Sequence, residues 1–190
     1  MTANKHFKRR VRERARRTGE SYTAALSHLR RSDAQEVTMR WQRIEKTEFG
    51  YAVHVPEGWQ ERQPDLKNSP WETARFVDPA DRRHSVIVFR GMAMPGPLRA
   101  VEVAERVRTS LEGAGFGDFA ISETSVGGRP GARIECAKHD AGRIWAVRQY
   151  VVVHEGVRFV LGCGTSVPEE DDPLFTVMSE RLEILEPEVS

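Results

Sequence analysis

The stretch IWAVRQYVVVHEGVRFVLGCGT, residues 144–165, decides the fold. Two runs rich in Val, Phe, Tyr and Leu flank His154-Glu155-Gly156, the polar, glycine-bearing turn of a β-hairpin. Just upstream, FAISETSV (119–126) and ARIECAKH (132–139) read as a second hairpin, turning through Gly127-Gly128-Arg129-Pro130-Gly131. Further upstream, Leu98, Val101, Ala104, Val107 and Leu111 recur at helical spacing until Gly113 and Gly115 end the run, which predicts an amphipathic helix over 98–111. TARFVDP (73–79) and SVIVFRGMAM (85–94) form an antiparallel pair, and the second, apolar on both faces, is expected at the centre of the sheet.

At the two ends of this region, YAVHVP (51–56) alternates as a strand and runs into the turn Pro56-Glu57-Gly58-Trp59 and a short polar loop. Another strand is expected over 37–44. Residues 173–185 read as a closing helix, with Pro173 at its start, acidic residues before it and Leu174, Val177, Met178 and Leu182 on one face. The order predicts an α+β domain, a mainly antiparallel sheet of five to seven strands packed by two helices, without internal repeats. The expected organisation is a basic arm over 1–33, a linker with a first strand over 34–48, the domain over 49–186 and a tail over 187–190.

Composition fits one core with an appendage: 190 residues, 39% of them apolar and 30% charged. No run reaches the length of a membrane span and the basic N-terminus lacks a signal peptide's apolar core, so a cytoplasmic location is expected. Cys136 and Cys163 have no metal-ligand spacing and read as small buried apolar residues.

The net charge of +1 hides a division. Residues 1–31 hold ten basic groups against Glu13 and Glu20, or +8, which leaves 19 basic and 26 acidic groups, or −7, in the rest. Such asymmetry marks an arm that seeks a polyanion or an acidic protein surface. Its candidate contact residues are Lys5, Lys8, Arg9, Arg10, Arg12, Arg16, Arg17, Arg30 and Arg31. Phe7, Val11 and Ala15 recur every four residues. Gly19 then fits the position after a helix end, Ser21 fits an N-cap, and Tyr22, Leu26 and Leu29 share a face. The reading is a helical hairpin that docks through Val11, Tyr22, Leu26 and Leu29. RERARRTGESYTAALSHLRR (12–31) resembles the helix, turn and helix of VapB-type ribbon-helix-helix antitoxins, though no DNA-reading strand precedes it.

YAVHVPEGW, the strand pair, the central helix, VGGRPGARIE, the long hairpin and the closing helix together resemble the PsbP-like superfamily over about residues 46–186. That superfamily includes a photosystem extrinsic protein, a Ran-binding protein, DcrB lipoproteins and Eag-type chaperones. The resemblance implies a fold and a protein-binding role, and no chemistry.

Catalytic signatures are missing from the sequence: there is no phosphate-binding loop, GxSxG elbow or HExxH. The six histidines are scattered, His139-Asp140 reads as a surface turn, and Glu169-Glu170-Asp171-Asp172 reads as the acidic lead-in to a helix. No catalytic residue, metal or cofactor is expected. Among the tryptophans, Trp41, Trp59 and Trp145 read as core, whereas Trp71, in the loop NSPWET, is the candidate partner contact. The expectation is a non-enzymatic binding or adaptor protein that engages a protein partner, chaperone-like in kind; the alternative is a nucleic-acid- or ribosome-associated factor bound through the arm.

Overall fold

The computed structural model describes residues 8, 11–12, 21–23, 26, 39–80, 84–92, 98–140 and 142–186. The chain divides into two compact units, Met1–Arg40 and Trp41–Ser190. In the first, Lys8, Val11, Arg12, Tyr22, Thr23 and Leu26 have helical backbone; Val11 is buried and Leu26 half-buried. Gly19, at the expected hairpin turn, lies outside the described residues.

The second unit runs β1 (Trp41–Lys46), a 3₁₀ turn (Thr47–Phe49), β2 (Tyr51–Pro56), β3 (Gln60–Arg62), β4 (Glu72–Val77), β5 (His84–Arg90), α1 (Ala100–Gly113), β6 (Gly117–Val126), β7 (Arg129–Asp140), β8 (Arg143–His154), β9 (Val157–Thr165), α2 (Pro168–Glu180) and β10 (Glu183–Ile184). All strand pairings are antiparallel. Seven strands form one sheet in the order β3-β4-β5-β9-β8-β7-β6, and β1-β2-β10 form a second. β5 lies inside the large sheet, as its two apolar faces require.

Strand alternation sorts each side chain into one of two cores. On one face, Ala132, Ile134, Val151 and Val160 meet Val103 and Ala104 of α1. On the other, Val86, Val88, Tyr150, Val152, Phe159 and Leu161 meet Phe175 and Met178 of α2 together with Tyr51, Val53 and Val55 of β2. The run Tyr150-Val151-Val152 thus serves both cores in turn. The buried tyrosines keep partners for their hydroxyls, Tyr51 with Thr73 at 2.9 Å and Tyr150 with Thr176 at 3.5 Å.

Several boundaries differ from the sequence reading. β1 starts at Trp41 and continues to Lys46, past Ile44. The polar loop after β2 contains the three-residue edge strand β3. The β6–β7 turn is only Gly127-Gly128, both at positive φ, so Arg129 and Pro130 already belong to β7. α2 begins at Pro168, not Pro173, and stops at Glu180. Glu169, Glu170 and Asp171 therefore sit in its first turn, where negative charge is favoured, and Pro173 lies inside the helix. The expected helical segment past residue 180 instead forms β10 on the free side of β2.

Three contacts hold α2 and β10 in place. Thr165 accepts the Val167 N–H at 2.9 Å and donates its hydroxyl to buried Asp171, fixing the strand-to-helix corner. At the other end of α2, the Gly127 N–H donates to Ser179 O at 2.9 Å. A Cβ on Gly127, at φ +56°, would lie 1.9 Å from the Leu182 carbonyl oxygen, whereas one on Gly128 would meet nothing within 4 Å. Across the small sheet, Arg43 of β1 donates to both carboxylate oxygens of Glu183 at 2.9–3.1 Å.

Two predictions follow from these contacts. Gly127→Ala combines positive-φ strain with overpacking and lowers stability by about 2–4 kcal/mol in urea unfolding, whereas Gly128→Ala carries only the roughly 1–2 kcal/mol of strain. The second concerns acid. The Arg43 hydrogen bond holds the Glu183 carboxyl below its ordinary value of 4.5, so the stability it adds is fully present above that pH and drains away as pH falls below it. Glu183→Gln flattens that part of the acid limb of a stability-versus-pH curve, and salt shrinks the difference, since the pair is exposed.

Candidate functional site

Strand alternation that fills the core also delivers a charge to its margin. Val86 and Val88 of β5 point into the α2-side core, and two residues on, Arg90 occupies the same series at the strand's end. Its backbone is fixed on both sides: the Arg90 N–H donates to Trp71 O and the Gly91 N–H donates to Arg158 O, each at 2.9 Å. The guanidinium carbon stands 6.0 Å from the centre of the Phe159 ring, the cross-strand neighbour of Arg90 in β9.

Around Arg90 the chain builds a cleft of about 730 Å³. One wall is the 3₁₀ turn, where Gly50, at φ +73°, directs the chain into β2 and Phe49 stacks on Tyr51 with ring centres 6.4 Å apart. A second wall is Ile184, Leu185 and Glu186, tied down by the Leu185 N–H to Gly50 O bond at 3.0 Å. The third is the β8–β9 turn, His154 and Glu155, with Val157 and Phe159 below it.

Four carboxylates line this cleft: Glu45, Glu48, Glu155 and Glu186. Glu45 pairs with Arg43. Glu186 meets His154 and Arg129 at 3.3 and 3.1 Å, and these hydrogen bonds, that of His154 first, pull its carboxyl below the ordinary glutamate range. Glu48 and Glu155 have no ion pair among the described residues. Neither has Arg90, whose buried Nε also lacks a hydrogen-bond acceptor. An unsatisfied buried donor costs about 1–3 kcal/mol, more on a charged group. The cleft therefore offers a guanidinium donor on its floor and two uncompensated anions at its rim, an arrangement suited to recognising a ligand of mixed charge.

His154, Glu155 and Glu186 place ligand atoms within 4.8 Å of one another, close enough for a metal ion. Arg129, however, lies 3.1 Å from both His154 Nδ1 and Glu186. A cation there would face a fixed guanidinium, so the trio reads as an ion-pair node.

Two other polar clusters lie under α2. Asp172 sits among Arg148 and Arg133, at 3.1 and 3.4 Å, with Glu135 reaching both arginines; burial raises the Asp172 pKa against the pull of the two cations. Buried His84 stacks on Trp59 with ring centres 4.7 Å apart, and its Nδ1 is 3.7 Å from Asp171. Both clusters brace α2 against the sheet.

The residues singled out in the sequence do not converge on the cleft. Trp71 is 42% exposed and its carbonyl anchors Arg90, but its ring is not among the lining groups. Lys8, Arg12, Ser21 and Tyr22 are exposed, whereas Lys5, Arg9, Arg10, Arg16, Arg17, Gly19, Leu29, Arg30 and Arg31 lie outside the described residues. Trp145 is half-buried against Gly164, and Trp41 carries the Arg181 guanidinium 4.7 Å from its ring centre. His139 pairs with Asp118 at 2.8 Å on the surface rather than with its neighbour. Both cysteines are buried, and burial pushes the Cys136 thiol up to about 11 and the Cys163 thiol well above its ordinary value, which keeps them protonated. Sequence reasoning missed Arg90, Glu48, Glu155 and Glu186. The one available signal was Arg90, a lone charge ending the apolar run of β5.

No family model matches the chain, and no curated protein matches it in sequence. Solved structures do. The Ran-binding protein Mog1p of Saccharomyces cerevisiae superposes with a TM-score of 0.55 at 12% identity, covering 78% of this chain and 97% of Mog1p. The solution structure of cyanobacterial PsbP (CyanoP) from Synechocystis sp. PCC 6803 gives 0.50 at 17% identity, over 76% of this chain and 92% of that one. At such identities the likeness concerns the backbone alone, and it establishes a PsbP-like α+β fold.

Proposed function

We propose that this chain is a non-enzymatic protein-binding module, an adaptor whose α+β domain holds a partner polypeptide while the basic arm docks or orients the complex. The observation that carries this reading is the cleft over Arg90, which brings together a guanidinium and two glutamates that have no ion pair among the described residues. The fold agrees with it, being shared with a protein described as Ran-binding. A second reading rests on the arm's charge of +8, which suits nucleic acid or the ribosome. No helix among the described residues is long and apolar enough to cross a membrane.

The two readings separate on salt. The full chain is used to capture partners from lysate at 50 and 200 mM salt, with and without nuclease. A protein that survives nuclease is then purified and titrated against the chain. The adaptor reading expects a stoichiometric protein complex with weak salt dependence. If instead about six arm cations contact duplex phosphates, the log–log slope is near −5 and affinity falls roughly a thousandfold over that range. Neutralising Lys8, Arg9, Arg10, Arg12, Arg16 and Arg17 together abolishes nucleic-acid capture under the second reading, whereas under the first the α+β domain still holds its protein partner. Trp71→Ala is expected to weaken the protein complex about tenfold, with melting curves checking that the fold is kept.

A further inference from the structure

The uncompensated charges of the cleft specify a ligand. Glu45 and Glu186 are neutralised by Arg43 and Arg129, which leaves Glu48 and Glu155 against Arg90. The complement is a molecule with one anion directed inward and two cations directed outward. Arg90 favours a planar oxyanion, since its fork of donors matches a carboxylate bidentately. A free small anion fits poorly, because it would meet the two rim carboxylates with nothing to offset them. Half-buried Val157 and Ile184 add apolar surface beside Arg90, room for a hydrocarbon side chain next to the oxyanion. The volume, about 730 Å³, falls in the range of clefts that enclose a few residues of peptide.

We propose that this cleft receives the C-terminal carboxylate of a partner polypeptide whose last residue is apolar and whose preceding residues include two Lys or Arg. The terminal carboxylate seats on the Arg90 guanidinium through the donors that face the cleft. The terminal side chain lies on Val157 and Ile184, and the basic side chains reach Glu48 and Glu155. This inference rests on the protein-binding reading above and names the segment bound.

The test uses the full chain and a fluorescein-labelled hexapeptide, Gly-Ala-Lys-Ala-Lys-Leu, read by fluorescence anisotropy at fixed salt. Binding is expected for the free acid. Binding is expected to fall about ten- to a hundredfold for the C-terminal amide, the loss of a charge-assisted hydrogen bond. Arg90→Gln is expected to erase the difference between acid and amide. Arg90→Lys keeps the charge without the fork and is expected to retain part of it, which separates recognition from unfolding; melting curves of both variants check the fold. Glu48→Gln with Glu155→Gln is expected to weaken the acid and to flatten its salt dependence. Equal binding of acid and amide, or no binding of either, overturns the proposal. If the partner captured from lysate still binds Arg90→Gln at full affinity, the protein-binding reading stands and this cleft is not its site; if no protein partner exists while the peptide binds, the reverse holds.

Discussion

The large sheet is covered on both faces, and almost everything else in the structure answers to that constraint. A strand buried on one side can alternate polar and apolar residues, but β8 and β9 must supply apolar groups to α1 and α2 at once. While His84, whose ring nitrogens lack a hydrogen bond, is packed on Trp59, several of the polar residues that remain inside bring a partner along. Thr165 does so by binding Val167 and Asp171, and Asp172 does so through Arg133 and Arg148. Uncompensated charge is thereby displaced to the strand ends, where the covering layers stop. Arg90 and Glu155 stand at such ends. The cleft is a consequence of how the layers terminate.

The second sheet depends on the same logic at lower stakes. β10 is two residues long and pairs with β2 only at Ala52 and Tyr51, too little to be stable alone. It is fixed by what surrounds it: the Arg43–Glu183 pair across β2, the Leu185 N–H to Gly50 bond and the close approach of Leu182 to Gly127. Those contacts place Ile184, Leu185 and Glu186 as a wall of the cleft. A weak strand held by strong neighbours thus carries part of the candidate site, which makes the wall sensitive to changes at Gly127 or Glu183 that never touch a ligand.

How far the sequence could be read follows from how local each signal is. The long hairpins were legible because alternation and glycine turns are properties of adjacent residues; even so, the Gly127-Gly128 turn proved tighter than the five-residue segment suggested. The start of α2 was misplaced because two prolines competed for it. Pro168 sits at the first helical position, while Pro173 is accommodated inside the helix, a choice made by Thr165 and Asp171 rather than by the prolines themselves. β10 was read as helix because its spacing of Leu182 from Met178 continues the helical stripe; tertiary pairing with β2 overrides it. The cleft left almost no trace, since Glu45, Arg90, Glu155 and Glu186 are separated by dozens of residues and share no spacing. Only the topology assembles them.

The arrangement of charge also bears on what kind of site this is. Catalysis at a cleft usually pairs a nucleophile or base with a group that tunes it, so that pKa values are driven apart. Here the shifted group on the rim, Glu186, is lowered by partners that hold it as a carboxylate, and the arginine on the floor touches an aromatic ring. Both cysteines are buried and kept protonated, away from the cleft lining. A carboxylate held in its charged form and a guanidinium are suited to selecting a ligand by charge. The fold places the Arg90 backbone through the Arg90 N–H to Trp71 O and Gly91 N–H to Arg158 O bonds, so the root of the side chain is fixed at the cleft floor.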